Sequence, residues 1–134
     1  MADSSLVKRL GIKPRHRVLV WNAPEGFWEQ LGNLPPDVDV KTSPDGHFDV
    51  VQVFVLNKAD VDQIAAQAVD ALKPGGMLWF TYPKKTSKIK TDISRDVGWD
   101  AVTRTGNEGI AIISVDDTWS ALRFRPTGDI KRRR

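Results

Sequence analysis

The densest group of reactive side chains inside this chain is a run of lysines. Lys84, Lys85, Lys88 and Lys90 fall within seven residues, with Thr86 and Ser87 among them. Ammonium groups beside hydroxyls suit a phosphate or a carboxylate, although a solvated surface loop has the same composition. Asp116 and Asp117 are adjacent acids, a spacing shared by metal sites and by turns whose aspartates bond their own backbone. Hard cations need several convergent oxygens, so the turn is the expected role and no metal is expected. His16 and His47 each stand before a strand without a second ligand nearby. No Ser pairs with a His, and the absence of cysteine excludes disulfides, thiolate catalysis and thiolate-bound metal.

Elements that would position these residues follow from the apolar pattern. Arg17 to Trp21 (RVLVW) and Phe48 to Leu56 (FDVVQVFVL) read as buried strands. Val38 to Lys41 alternates as a short edge strand. Ser4-Ser5 caps a brief helix ended by Gly11, and Phe27 to Leu31 forms another, stopped by Gly32. Asn57 to Leu72 places Val61, Ile64, Ala65, Ala68, Val69 and Leu72 on one helical face, with Asp60 and Gln63 as its capping box. Lys73-Pro74-Gly75-Gly76 ends that helix, and Met77 to Tyr82 is a strand feeding the lysine loop. A further helix is expected from Thr91 or Asp92 to about Thr105, with Gly98 inside it for close packing against the sheet. Ile110 to Val115 and Trp119 to Arg125 form a hairpin through Asp116-Asp117-Thr118.

Strands alternating with helices predict a parallel sheet covered on both faces, closed by one antiparallel strand. Ligands of such sheets sit beyond the carboxyl ends of the strands. That edge should gather Trp21, Asn22, Glu25, Asn57, Lys58, Tyr82, Lys84, Lys85, Lys88, Asp116, Asp117 and Trp119 into one aromatic-rimmed cleft. Trp79 is expected in the core, and Trp21, Trp99 and Trp119 are the indoles placed to face a ligand.

A length of 134 residues with 40% hydrophobic and 28% charged composition is that of one globular domain. Residues 1–126 are read as that domain and 127–134 as a basic, disordered tail. Of 20 basic residues, Lys131 to Arg134 account for four, and the other 16 face 17 acids, so the body is close to neutral. No apolar run approaches the roughly 20 residues of a membrane span, and no leader is expected from the first residues. A cytoplasmic location is expected.

The order of elements, FDVV in a central strand, LKPGG before the next, and the terminal hairpin resemble the Rossmann-like fold of S-adenosylmethionine-dependent methyltransferases. That resemblance implies a three-layer α/β fold, similar to a truncated class I methyltransferase, with a sheet of about six strands in the order 2-1-3-4-6-5. Leu10-Gly11-Ile12, the FDVV and LWFTYPKK strands and DDTWSALRF are similar to a family of small bacterial proteins, the domain-of-unknown-function family 3052. The methyltransferase resemblance also implies a glycine-rich loop after the first strand and an acid ending the second. Here Asn22-Ala23-Pro24-Glu25-Gly26 and Lys41-Thr42-Ser43 stand at those places. The residues therefore predict a degenerate, non-enzymatic module with no cofactor, binding an anionic small molecule or a protein partner at the carboxyl edge. Two alternatives accompany it. One is a divergent S-adenosylmethionine-dependent methyltransferase. The other is nucleic-acid binding through the Lys84–Lys90 loop and the tail.

Overall fold

The computed structural model describes residues 6–127. Six strands form one sheet: β1 (Arg17–Trp21), β2 (Asp39–Lys41), β3 (Phe48–Phe54), β4 (Leu72–Pro83), β5 (Asn107–Ser114) and β6 (Trp119–Pro126). Their order is β2-β1-β3-β4-β6-β5. The first four are mutually parallel, and β6 runs antiparallel to both β4 and β5. The order and the antiparallel hairpin are those expected from the sequence.

Alternation along the strands sends side chains into two cores. Val18, Val20, Val50 and Trp79 face α1 (Leu6–Leu10) and α2 (Phe27–Leu31). Trp79 also donates its indole N–H to the Leu10 carbonyl at 3.0 Å, fixing α1 on that face. Leu19, Val51, Val53, Leu78 and Phe80 face α3 (Lys58–Asp70) and α4 (Asp100–Thr103). The predicted stripe on α3 is the buried one, with Val61, Ile64, Ala65 and Ala68 inside.

The cap of α3 differs from the expected box. Asn57 is the N-cap, its Oδ1 accepting from the Asp60 N–H at 2.9 Å, while Asp60 reaches back to accept from the Leu56 N–H at 2.9 Å. Reciprocal bonding is present, shifted so that Asp60 is the answering side chain and Gln63 is left outside it.

Strand β4 starts at Leu72, five residues before Met77. Leu72 pairs with Phe48, and the register then jumps so that Val50 meets Met77; Lys73–Gly76 fill the irregularity. Lys73 Nζ lies 3.3 Å from Asp49. Burial pushes the Asp49 carboxyl up, but the Arg17 N–H at 2.7 Å, Lys73 and His16 outweigh it and hold it below its ordinary value. This pair ties the amino-terminal edge together, opposite the edge where ligands of such sheets sit.

The helix expected from residue 91 to 105 is reduced to α4, four residues long. Before it the chain is irregular. The Thr91 hydroxyl accepts from the Ile93 N–H at 3.2 Å, a local turn that competes with helix formation. Gly98 then takes φ +102°, a conformation incompatible with a helix interior. Its expected close packing is real but lies in a turn, where it faces the fully buried Ile93. Trp99 packs into the core against Phe80, Tyr82 and Phe124 at 5.4–5.7 Å between ring centres, and its remaining edge lines a hollow of about 290 Å³ with Arg95, Asp96 and Asp100.

Pro126 pairs with Asn107 in the sheet. The Ser4-Ser5 cap and residues 128–134 lie outside the described residues. No helix among the described residues is long and apolar enough to cross a membrane.

Candidate functional site

The chain leaves β1 toward β2 on one side and returns through β3 on the other. The carboxyl ends of β1 and β3 therefore flank the point where strand order reverses, the place at which open α/β sheets hold ligands. A cavity of about 640 Å³ opens there. Trp21, Asn22 and Pro24 line it from the end of β1, Phe54, Val55 and Leu56 from the end of β3, and Trp119 from the start of β6. Asp60, Gln63, Ile64 and Gln67 line it from α3, and Ile89 from the lysine loop. Its size is that of a small-molecule site.

Aromatic packing shapes the cavity floor. Phe54 stacks edge-on against Phe27 at 4.9 Å and against Trp119 at 5.3 Å. The β1 loop turns tightly without a run of glycines. Asn22 adopts φ 64°, the left-handed conformation that Asn tolerates best after Gly, and Gly26 adopts φ 87° ahead of α2. A Cβ at Gly26 would meet nothing within 4 Å, so that glycine serves the turn and not a close approach.

The charge of the lining is informative. Among the described residues it holds one carboxylate, Asp60, three amides, Asn22, Gln63 and Gln67, and no Lys, Arg or His. Trp21, Asn22 and Trp119 are the expected site residues that it contains. Tyr82, Lys84 and Lys85 open instead into a separate, shallower depression of about 330 Å³, with Thr86, Ser94, Arg95 and Ser120. The single cleft expected at this edge is thus divided in two, one half aromatic and one half basic.

The remaining expected residues have other surroundings. Asn57 is occupied as the cap of α3. Asp116 accepts from the Thr118 and Trp119 N–H groups at 2.8 and 2.9 Å and from Gln30 Nε2 at 3.2 Å, which is the turn-shaping role. Glu25, Lys88 and Asp117 are exposed and line neither hollow. Lys58 pairs with Asp62 one helical turn on, at 2.9 Å. No group of three or more His, Cys, Asp or Glu able to hold a metal occurs among the described residues.

Asp60, Gln63 and Gln67 are the site residues that sequence reasoning passed over. Their spacing carried a signal, since all three sit along one flank of the apolar stripe of α3. Ile89 gave none, being a lone apolar residue between lysines.

No family model matches the chain, and no curated protein matches it. Solved structures do. A ribosomal protein L11 methylase from Lactobacillus delbrueckii subsp. bulgaricus superposes with a TM-score of 0.58 at 13% identity, over 90% of this chain and 74% of that one. A complex of DhpI with SAH gives 0.58 at 16%, over 90% and 81%. A SAM-dependent methyltransferase from Aquifex aeolicus gives 0.58 at 14%, over 89% and 86%. The fold is that of the methyltransferases. The finer resemblance to the domain-of-unknown-function family 3052 gains no support from a family model.

These neighbours correct one expectation. A chain without cofactor was read from the missing glycines and the missing acid, yet the structures it superposes on include an SAH complex and a SAM-dependent enzyme. The lining is chemically suited to such a group. Flat aromatic walls match an adenine ring. A carboxylate and aromatic faces without competing cations match a sulfonium. Three amides offer donors and acceptors for the sugar and the amino-acid portion.

Proposed function

We propose that this chain is a divergent S-adenosylmethionine-dependent methyltransferase. The observation that carries the reading is the cation-free, aromatic-walled cavity at the reversal point between β1 and β3. It supports this reading over a non-enzymatic module, because the hollow has the volume and charge of a site for a cationic small molecule. Trp21, Phe54 and Trp119 would wall the cofactor, and Asp60, Gln63 and Gln67 would bond its polar groups. The cofactor supplies an electrophilic methyl group, and the protein's part is to orient it and keep water and cations away. Titration calorimetry with S-adenosylhomocysteine tests the reading. Heat with a dissociation constant in the micromolar range is expected. No heat and no thermal stabilisation at millimolar ligand would overturn it.

The basic depression supports a reading of the acceptor as an anion. Lys84, Lys85 and Arg95 meet the Thr86, Ser94 and Ser120 side chains there, and no carboxylate lines it among the described residues. Burial pushes the Tyr82 phenol up, against the pull of Arg95, so the lining gains no negative charge near neutral pH. Lys84→Ala with Lys85→Ala is expected to abolish thermal stabilisation by tripolyphosphate and, measured with no anion present, to leave affinity for S-adenosylhomocysteine unchanged. A variant that unfolds would make these lysines structural, a role already visible in the 2.6 Å bond from Lys84 Nζ to Ser114 Oγ.

A further inference from the structure

Cations at the carboxyl edge lack the partners that cations elsewhere have. Among the described residues the ion pairs take Arg17, Lys41, Lys58 and Lys73. Lys84, Lys85 and Arg95 of the basic depression are in none of them. Nor is Arg9, exposed on α1. Of the acids in the hairpin turn, Asp116 is taken up by backbone N–H groups and Gln30, and Asp117 stands exposed. Arg95 is shared with the hollow of Asp96 and Asp100, where the row of cations ends.

Two of these cations meet at one neutral residue. Ser114 is the last residue of β5, the edge strand. Its carbonyl accepts from Arg9 Nη1 and its hydroxyl from Lys84 Nζ, each at 2.6 Å. Two like charges are drawn together there with no carboxylate bonded to either, an arrangement that repels itself until an anion joins it.

Arg123 extends the row on the α1 side of the sheet. Trp119 and Ala121 of β6 point into the α1–α2 core, and alternation puts Arg123 on the same side. It stands across from Trp79 and Ala111, and from no acid. Its side chain is half-buried, and its Nε is shut away without a hydrogen-bond partner. Burial and Arg125 both hold its pKa below the ordinary value, while Arg125 itself faces Glu108. A guanidinium packed in this way costs the free protein stability that a bound anion would return.

Phosphate is the anion that this row suits. The cations are interspersed with the hydroxyls of Thr86, Ser94, Ser114 and Ser120. Ammonium groups beside hydroxyls act as point charges and donors for phosphate oxygens, whereas a carboxylate is best met by a bidentate arginine. The path also selects the polymer. It starts on the α4 side, crosses the end of β5 and continues on the α1 side. A duplex, stiff over about 50 nm, does not turn across the edge of one strand. A single strand does.

We propose that a single nucleic-acid strand lies along this row, from Arg95 through Lys85, Lys84 and Arg9 to Arg123, and that it carries the methyl acceptor. The inference rests on the reading of the basic depression as the acceptor side, and it names the class of that acceptor.

Fluorescence anisotropy of labelled oligonucleotides of about 12 residues, RNA and DNA in parallel, tests this, and the tighter of the two identifies the sugar. A dissociation constant in the micromolar range is expected at about 50 mM salt. With one phosphate on each of these cations, affinity should fall about a hundredfold by about 200 mM salt. Arg9→Gln, at an exposed position, should weaken binding about fivefold and reduce the slope of log affinity against log salt by about 0.7. It should leave stabilisation by tripolyphosphate and affinity for S-adenosylhomocysteine unchanged. Arg123→Gln should act likewise. No oligonucleotide binding, with stabilisation by tripolyphosphate intact, would overturn the proposal and make the acceptor a small phosphate. So would equal affinity for a duplex, equal competition by polyglutamate, or binding that disappears when Lys131 to Arg134 are replaced by alanine. If the oligonucleotide binds and S-adenosylhomocysteine does not, the cofactor reading falls and strand binding stands.

Discussion

Gly98→Ala is expected to lower the midpoint of thermal unfolding by on the order of 10 °C. Two costs add at this position. The backbone sits at φ +102°, where a side chain costs roughly 1–2 kcal/mol. The added Cβ would also lie 2.1 Å from Ile93 Cγ2, and Ile93 is fully buried against the α3–α4 core. Overpacking of that kind costs roughly 1–3 kcal/mol. A loss of about 3 kcal/mol corresponds to roughly 10 °C for a chain of this length. Differential scanning calorimetry reads the effect directly. A shift below about 2 °C would show that the turn from residue 94 to 99 rearranges freely, and that Trp99 is held by its aromatic neighbours alone.

The second large effect concerns charge in the aromatic cavity. Gln63→Lys is expected to weaken S-adenosylmethionine binding about a hundredfold and S-adenosylhomocysteine binding only a few-fold. Gln63 is exposed on α3 and lines the cavity, so the exchange leaves the core alone. The two ligands differ in one methyl group and one positive charge. Two like charges about 6 Å apart at an effective dielectric of about 20 repel by about 3 kcal/mol, which is about a hundredfold in affinity. Only the sulfonium feels that term. Equal loss for both ligands, measured by calorimetry in one buffer, would point to steric blockage and remove charge from the account of this cavity. Unchanged binding of both would place the ligand elsewhere.

How much of this was legible in the sequence varies by element. β1 and α2 have the bounds that their residues suggest, and the hairpin turn lies where Asp116-Asp117-Thr118 places it. Each is announced by strong local chemistry: β-branched runs, a proline-glycine loop, adjacent aspartates. The stripe on α3 is equally plain. The stretch from 91 to 105 misled because its acids and apolar residues imitate a capped helix, while the deciding interaction, Gly98 against Ile93, depends on where the turn closes. The carboxyl edge of the sheet was legible in the strand pattern, but its division into two hollows was not. Parallel strands deliver their ends to one line, and that line has two faces. Which face a loop drops toward depends on packing beyond the strand. Tyr82 turns into the α4-side core with Trp99, taking Lys84 and Lys85 with it. Ile89 turns back toward Trp21 and Trp119 and walls the other hollow.

The loop from 84 to 89 thus belongs to both hollows, and it is stitched together internally. The Ser87 hydroxyl donates to the Lys84 carbonyl at 2.7 Å, and the Ile89 N–H donates back to that hydroxyl at 3.3 Å. Lys84 at its start is anchored twice more, by its backbone N–H to the Thr118 carbonyl at 2.7 Å and by its ammonium to Ser114. If a short segment braced in this way moves as a unit, drawing its lysines toward an anion would displace Ile89 at the aromatic wall, and filling the aromatic hollow would press on the lysines. Thermodynamic linkage makes that influence equal in both directions. Two occupants of this edge would therefore not bind independently, and the affinity of either would report on the presence of the other.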